Sequence, residues 1–134
     1  MGIHYKRFFE YAAEGIKVED CEFSWRNSMS RSYYAVYHAA LTYADTVSVP
    51  PVSDFAGPTH RKLSLYFEGS MHSDMSSRRN LRRLGYCLKQ LHAGRVEADY
   101  ELETGISLSK AQDHVSRCGM RLKEFDELLS AEAA

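Results

Sequence analysis

From Trp25 to Val49 the chain runs without a glycine or a proline. That continuity, more than any other feature, sets what it can fold into. The stretch reads as a long helix, ended by Pro50-Pro51, which removes backbone donors and pushes Val49 towards extended conformations. At about 100° per residue, Met29, Tyr33, Val36, Tyr37, Ala40 and Ala44 share one side. Asn27, Arg31, Tyr34, His38 and Thr42 line up on the other. A solvated helix face ordinarily carries Lys and Glu rather than a phenol and an imidazole beside a permanent cation. This polar stripe is therefore read as a candidate site.

The remaining chain is arranged around that helix. An apolar face of Tyr5, Phe8, Phe9, Ala12 and Ile16 predicts a first helix from about His4 to Glu14, with Gly15 as its break. Residues 48–57 form a loop. Pro58 then opens a short helix to about Phe67, anchored by Leu63, Tyr66 and Phe67. The polar run Ser70–Ser77 offers Ser73 or Asp74 as the N-cap of a fourth helix, about Met75 to Leu102. Its packing face is Leu81, Leu84, Leu88, Leu91, Ala98 and Leu102, with Arg78, Arg79, Arg82, Arg83 and Lys89 roughly opposite. Ser109-Lys110-Ala111-Gln112 fits a capping box. The final helix keeps apolar residues at 3–4 spacing from Leu108 through Leu129. No strand-like alternation of useful length occurs. The expected architecture is all-α: an antiparallel four- to five-helix bundle, one domain over residues 1–134.

Arg95 is the anomaly of the fourth helix, because it lies within the leucine face with His92 one turn before it and Asp99 one turn after. A guanidinium there is costly unless paired. It is either half of a structural Arg95–Asp99 ion pair or a cation aimed into a cleft. Gly94 beside it would let another helix or a ligand come close. Charge is also uneven. Residues 58–95 hold eight Lys/Arg against two acidic residues, whereas residues 96–134 hold four against nine. The five basic residues of the fourth helix are thus either a water-facing surface or a nucleic-acid-contacting one.

Several functional classes lack their signatures. No window is apolar enough to span a membrane. Met1–Glu10 carries Lys6, Arg7 and Glu10 without an apolar signal core, so a cytoplasmic location is expected. Cys21, Cys87 and Cys118, odd in number and widely spaced, fit reduced thiols in predicted helices, as small buried hydrophobes. The six histidines show no metal-ligand spacing, and neither a phosphate loop nor a nucleophile elbow is present. Neither a metal nor a cofactor is expected.

Three segments carry a family resemblance over nearly the whole chain. Ser30-Arg31-Ser32-Tyr33-Tyr34-Ala35-Val36-Tyr37-His38-Ala39-Ala40 resembles the second-helix motif of HEPN domains (higher eukaryotes and prokaryotes nucleotide-binding), in the branch with Arg-x-Tyr-Tyr-Ala-x-x-His-Ala-Ala. Gly57-Pro58-Thr59-His60-Arg61-Lys62-Leu63 through Phe67 resembles its short third helix. Arg95-Val96-Glu97-Ala98-Asp99-Tyr100 resembles its Arg-x-x-Ala-Asp-Tyr segment.

The resemblance implies a helical bundle, a homodimer and a role in a prokaryotic toxin–antitoxin or defence system, with RNA or a nucleotide as ligand. It also implies a cognate antitoxin, a nucleotidyltransferase-type protein or another effector as partner. Many HEPN ribonucleases cleave RNA without metal, using Arg-x(4–6)-His late in the chain. This sequence departs there: no His follows Arg95 until His114, and Tyr100 stands where that His would be. If cleavage occurs, His38 is the best acid or base, and Arg31 and Arg95 the best phosphate clamps. Tyr34, Tyr100 and Asn27 would then contact substrate, and Asp99 would orient Arg95. The other reading implied is a HEPN module that binds without cleaving.

Overall fold

The computed structural model describes residues 2–133. Five α-helices follow one another: α1 (Lys6–Gly15), α2 (Glu22–Val47), α3 (Thr59–Glu68), α4 (Met75–Tyr100) and α5 (Leu108–Ala133). A 3-10 turn, Val52–Asp54, sits between α2 and α3. Among the described residues there is no strand, and no helix is long and apolar enough to cross a membrane. The fold is an all-α helical bundle.

Helix α2 is its axis. Met29, Tyr33, Val36, Tyr37, Ala40 and Ala44 are buried as the spacing predicts, but so are Ser28, Ser30, Ser32, Ala35 and Ala39. Small residues on the second side let other helices close around it, and α2 touches every other helix. Pairings fix the directions. Gly15 meets Ser28, while Phe8 meets His38, so α1 runs against α2. Arg26 bonds the end of α4 and Tyr33 lies near His92, so α4 also runs against α2. Met29 meets His114 and Glu22 meets Ile106, which sets α5 parallel to α2. The long connection 48–58 returns the chain nearly four turns back along α2, so α3 starts beside Tyr33 rather than beside the end of α2.

Helix ends follow local chemistry. The Asp74 carboxylate accepts from the Ser77 N–H at 2.8 Å and caps α4, one of the two residues expected. The last helix begins earlier than its sequence signal: Ser107 Oγ, not Ser109, accepts from Lys110 N at 3.1 Å. Helix α4 stops at Tyr100, which leaves Leu102 73% exposed and outside the leucine face assigned to it. Of the three cysteines only Cys118 is fully buried, whereas Cys21 sits at the start of α2 in partial contact with solvent.

Candidate functional site

The polar stripe of α2 and the Arg95 anomaly of α4 meet. Ser30, buried on α2, donates from Oγ to Asp99 Oδ2 at 3.0 Å. Arg95 Nε lies 2.9 Å from the same oxygen, with a contact angle too oblique for a hydrogen bond. Both cations pack against Tyr34. The Arg31 guanidinium lies 5.0 Å from the centre of its ring and that of Arg95 5.2 Å. Phe8 flanks Arg31 at 5.8 Å and Tyr100 flanks Arg95 at 5.3 Å. Cations thus alternate with aromatic faces from α1 through α2 to the end of α4, an arrangement in which each ring's negative face offsets a neighbouring charge.

The guanidiniums are only partly spent. Arg31 Nη2 donates to Ser30 Oγ at 3.2 Å, and its Nε is enclosed without a hydrogen-bond partner among the described residues. Arg95 is 14% exposed and makes no hydrogen bond through its Nη atoms there. The cluster holds one carboxylate, Asp99, which pairs with Arg95, against two arginines, so it keeps an excess of positive charge. Its planar N–H forks suit a phosphate or carboxylate.

Two histidines outside the expected set of site residues complete the cluster. His60 of α3 stacks on His92 of α4 with ring centres 4.5 Å apart and planes at 26°. Tyr33 Oη stands 2.7 Å from His60 Nδ1. Burial first, then His92 and Arg95, pushes His60 down to about 4, and burial with Arg95 lowers His92. Burial raises Tyr33, so it remains a phenol, and its contact with Nδ1 leaves Nε2 as the His60 nitrogen without a hydrogen-bond partner among the described residues. Tyr34 also lies 6.0 Å from His60, ring to ring, which joins the imidazoles to the cation ladder.

The other expected residues are distributed as follows. His38 is exposed, beside Tyr34 at 6.4 Å and edge-on to Phe8 at 5.6 Å, in a shallow groove with Thr42. Burial lowers its pKa, and no carboxylate or carbonyl orients its ring among the described residues. Asn27 is half-buried one turn before Arg31, without a side-chain hydrogen bond there. Tyr100 is 68% exposed at the outer end of the ladder.

The basic face of α4 divides. Arg78 donates to His72 O and Arg82 to Ser70 O, both at 3.0 Å, and these bonds clamp the 70–74 segment. Arg83 pairs with Glu124 of α5 at 3.0 Å. Arg79 and Lys89 are exposed and have no partner among the described residues, and Lys89 lies beside His60 and His92.

A buried cation that the sequence does not flag holds this end of the molecule. Arg26 is 8% exposed. It donates to Glu97 O at 3.4 Å, Ala98 O at 3.1 Å and Glu101 O at 3.2 Å, and also to Thr104 O. Glu22 balances it at 3.2 Å. Carbonyls at a helix C-terminus lack intrahelical donors and carry partial negative charge, so this guanidinium caps α4 and fixes the turn bearing Asp99 and Tyr100. No group of three or more His, Cys, Asp or Glu side chains is placed to hold a metal ion among the described residues.

Compared with protein-family models, curated proteins and solved structures, the chain matches none.

Proposed function

We propose that this chain is a HEPN-like protein that binds the phosphates of RNA or of a nucleotide through Arg31 and Arg95. The observation that carries the reading is the pair of incompletely bonded guanidiniums packed against the Tyr34 ring, with two neutral imidazoles next to them. Cations interleaved with aromatic faces are what an unpaired strand uses: charge for phosphates and ring faces for bases. The motif resemblance points the same way, and a two-fold dimer in a toxin–antitoxin or defence setting is part of the reading.

Between binding and cleavage, the geometry favours binding. Transesterification needs a base for the 2′-hydroxyl and a protonated acid for the leaving oxygen. His60, lowered to about 4, carries no proton to give at neutral pH, and His38 has no group that orients it. Fluorescence anisotropy with a short labelled oligoribonucleotide tests the proposal, alongside cleavage of an RNA pool in EDTA. Wild type should bind and leave the RNA uncut, and Arg31→Ala and Arg95→Ala should each weaken binding about tenfold, as loss of a charge-assisted contact requires. Cleavage in EDTA that disappears in His38→Ala would restore the ribonuclease reading. Equal affinity of both arginine variants and wild type would remove the phosphate site.

A further inference from the structure

We infer that the cavity between α3 and α4 is a pocket for one nucleobase of the strand whose phosphates meet Arg31 and Arg95. This rests on the phosphate-binding reading and adds to it a second subsite with different chemistry. The cavity, about 360 Å³, is lined by His60, His92, Leu88, Glu68, Arg61 and Lys89 among others. That volume lies at the small end of ligand sites, enough for a single flat group. His60 and His92 form the wall shared with the cation ladder, since Tyr34 lies 6.0 Å from His60 and Arg95 follows His92 by one turn.

The lining matches a base in three respects. Leu88 is buried and gives an apolar floor. The paired imidazole rings, 4.5 Å apart, put aromatic surface in the cavity wall, against which a base can pack. A neutral imidazole also offers one donor and one acceptor, the vocabulary of a base edge. Tyr33 occupies Nδ1 of His60, so Nε2 is the ring nitrogen left to meet a base edge. Arg61 and Lys89, both exposed, stand at the rim where the phosphate flanking the held nucleotide would pass. An acidic peptide would use those two cations but not the imidazole faces, so it fits the lining less completely.

The test compares a short oligoribonucleotide with an abasic strand of the same length, which keeps every phosphate and lacks the bases. Wild type should prefer the base-bearing strand by about tenfold or more, the scale of one stacked base. His92→Phe keeps a flat ring against His60 and loses both ring nitrogens. It should shrink that preference, lowering affinity for the base-bearing strand more than for the abasic one. Independently of any variant, 2-aminopurine in the strand should lose fluorescence when wild type binds, as a stacked base does. Equal affinity for the two strands, a full preference in His92→Phe, or unquenched 2-aminopurine would overturn the pocket while leaving the phosphate site standing. Failure of both strands to bind would remove the proposed function and the pocket together.

Discussion

Replacing Arg26 with Met should be among the most damaging single changes to the fold, although the residue touches no candidate ligand. The side chain keeps its approximate length and apolar stem but loses the donors. Four carbonyls at the end of α4 and in the turn after it then lose a charged partner. Ala98 O is buried and is stranded, at a cost of about 1–3 kcal/mol. The other three are part-buried and recover water, so each loses about 0.5 kcal/mol, the low end of a net hydrogen bond. Removing a buried guanidinium returns some of its desolvation cost, which leaves a net loss of about 3 kcal/mol. For a chain of 134 residues that corresponds to a fall in Tm of about 10 °C. Thermal melts followed by far-UV circular dichroism measure it. Arg79→Met, an exposed position without a described partner, serves as control and should stay within about 0.5 kcal/mol of wild type. Arg26→Lys should fall between, because a single ammonium cannot reach all four oxygens. A melting point for Arg26→Met within about 2 °C of wild type would refute the capping argument.

Three further outcomes are expected. Stability should fall as pH drops from 7 towards 4: burial lowers the pKa of His38, His60, His92 and His114, so the unfolded chain takes up protons near 6.5 before the folded one does. Denaturant titrations at pH 7 and pH 5 giving equal stability would contradict this, and His114→Gln should flatten the dependence. Gly85→Ala should lower Tm even though Ala is the better helix former, because its Cβ would stand 2.6 Å from Glu68 N and push α3 off α4. A higher Tm would mean that the α3–α4 contact is looser than described. Iodoacetamide should label Cys21 well before Cys118 in the native protein, since burial raises the Cys118 thiol to about 12 while hydrogen bonds from Ser24 lower that of Cys21. Mass spectrometry showing equal rates would count against the packing around Cys118.

The helices were legible because their signals are local and periodic. The stripe of Met29, Tyr33, Val36, Tyr37, Ala40 and Ala44 is buried as read, and Arg95 with Asp99 does come to Ser30 and Tyr34 across the α2–α4 contact. The expense of burying polar groups singly was sufficient reason to expect them to converge. What escaped is non-local. His60 and His92 lie on different helices with the 70–74 segment between them, so no spacing within either helix announces their stack. Arg26 reads as an ordinary polar residue of a helix until the C-terminus of α4 is placed against it. Leu102 follows the apolar period of α4, but the helix ends two residues earlier. Ser109 satisfied a capping-box pattern, whereas the observed cap is Ser107 Oγ two residues earlier, a displacement of the size that helix ends commonly show.

The most direct test of the central claim, that Arg31 and Arg95 meet phosphates, is the salt dependence of oligoribonucleotide binding. Each phosphate neutralised on a single strand contributes about 0.7 to the slope of log affinity against log salt. The slope for Arg31→Ala and for Arg95→Ala should therefore each be shallower than that of wild type by about 0.7, and the double variant shallower by about 1.4. Slopes unchanged in all three variants would mean that these guanidiniums serve only the packing of α2 against α4.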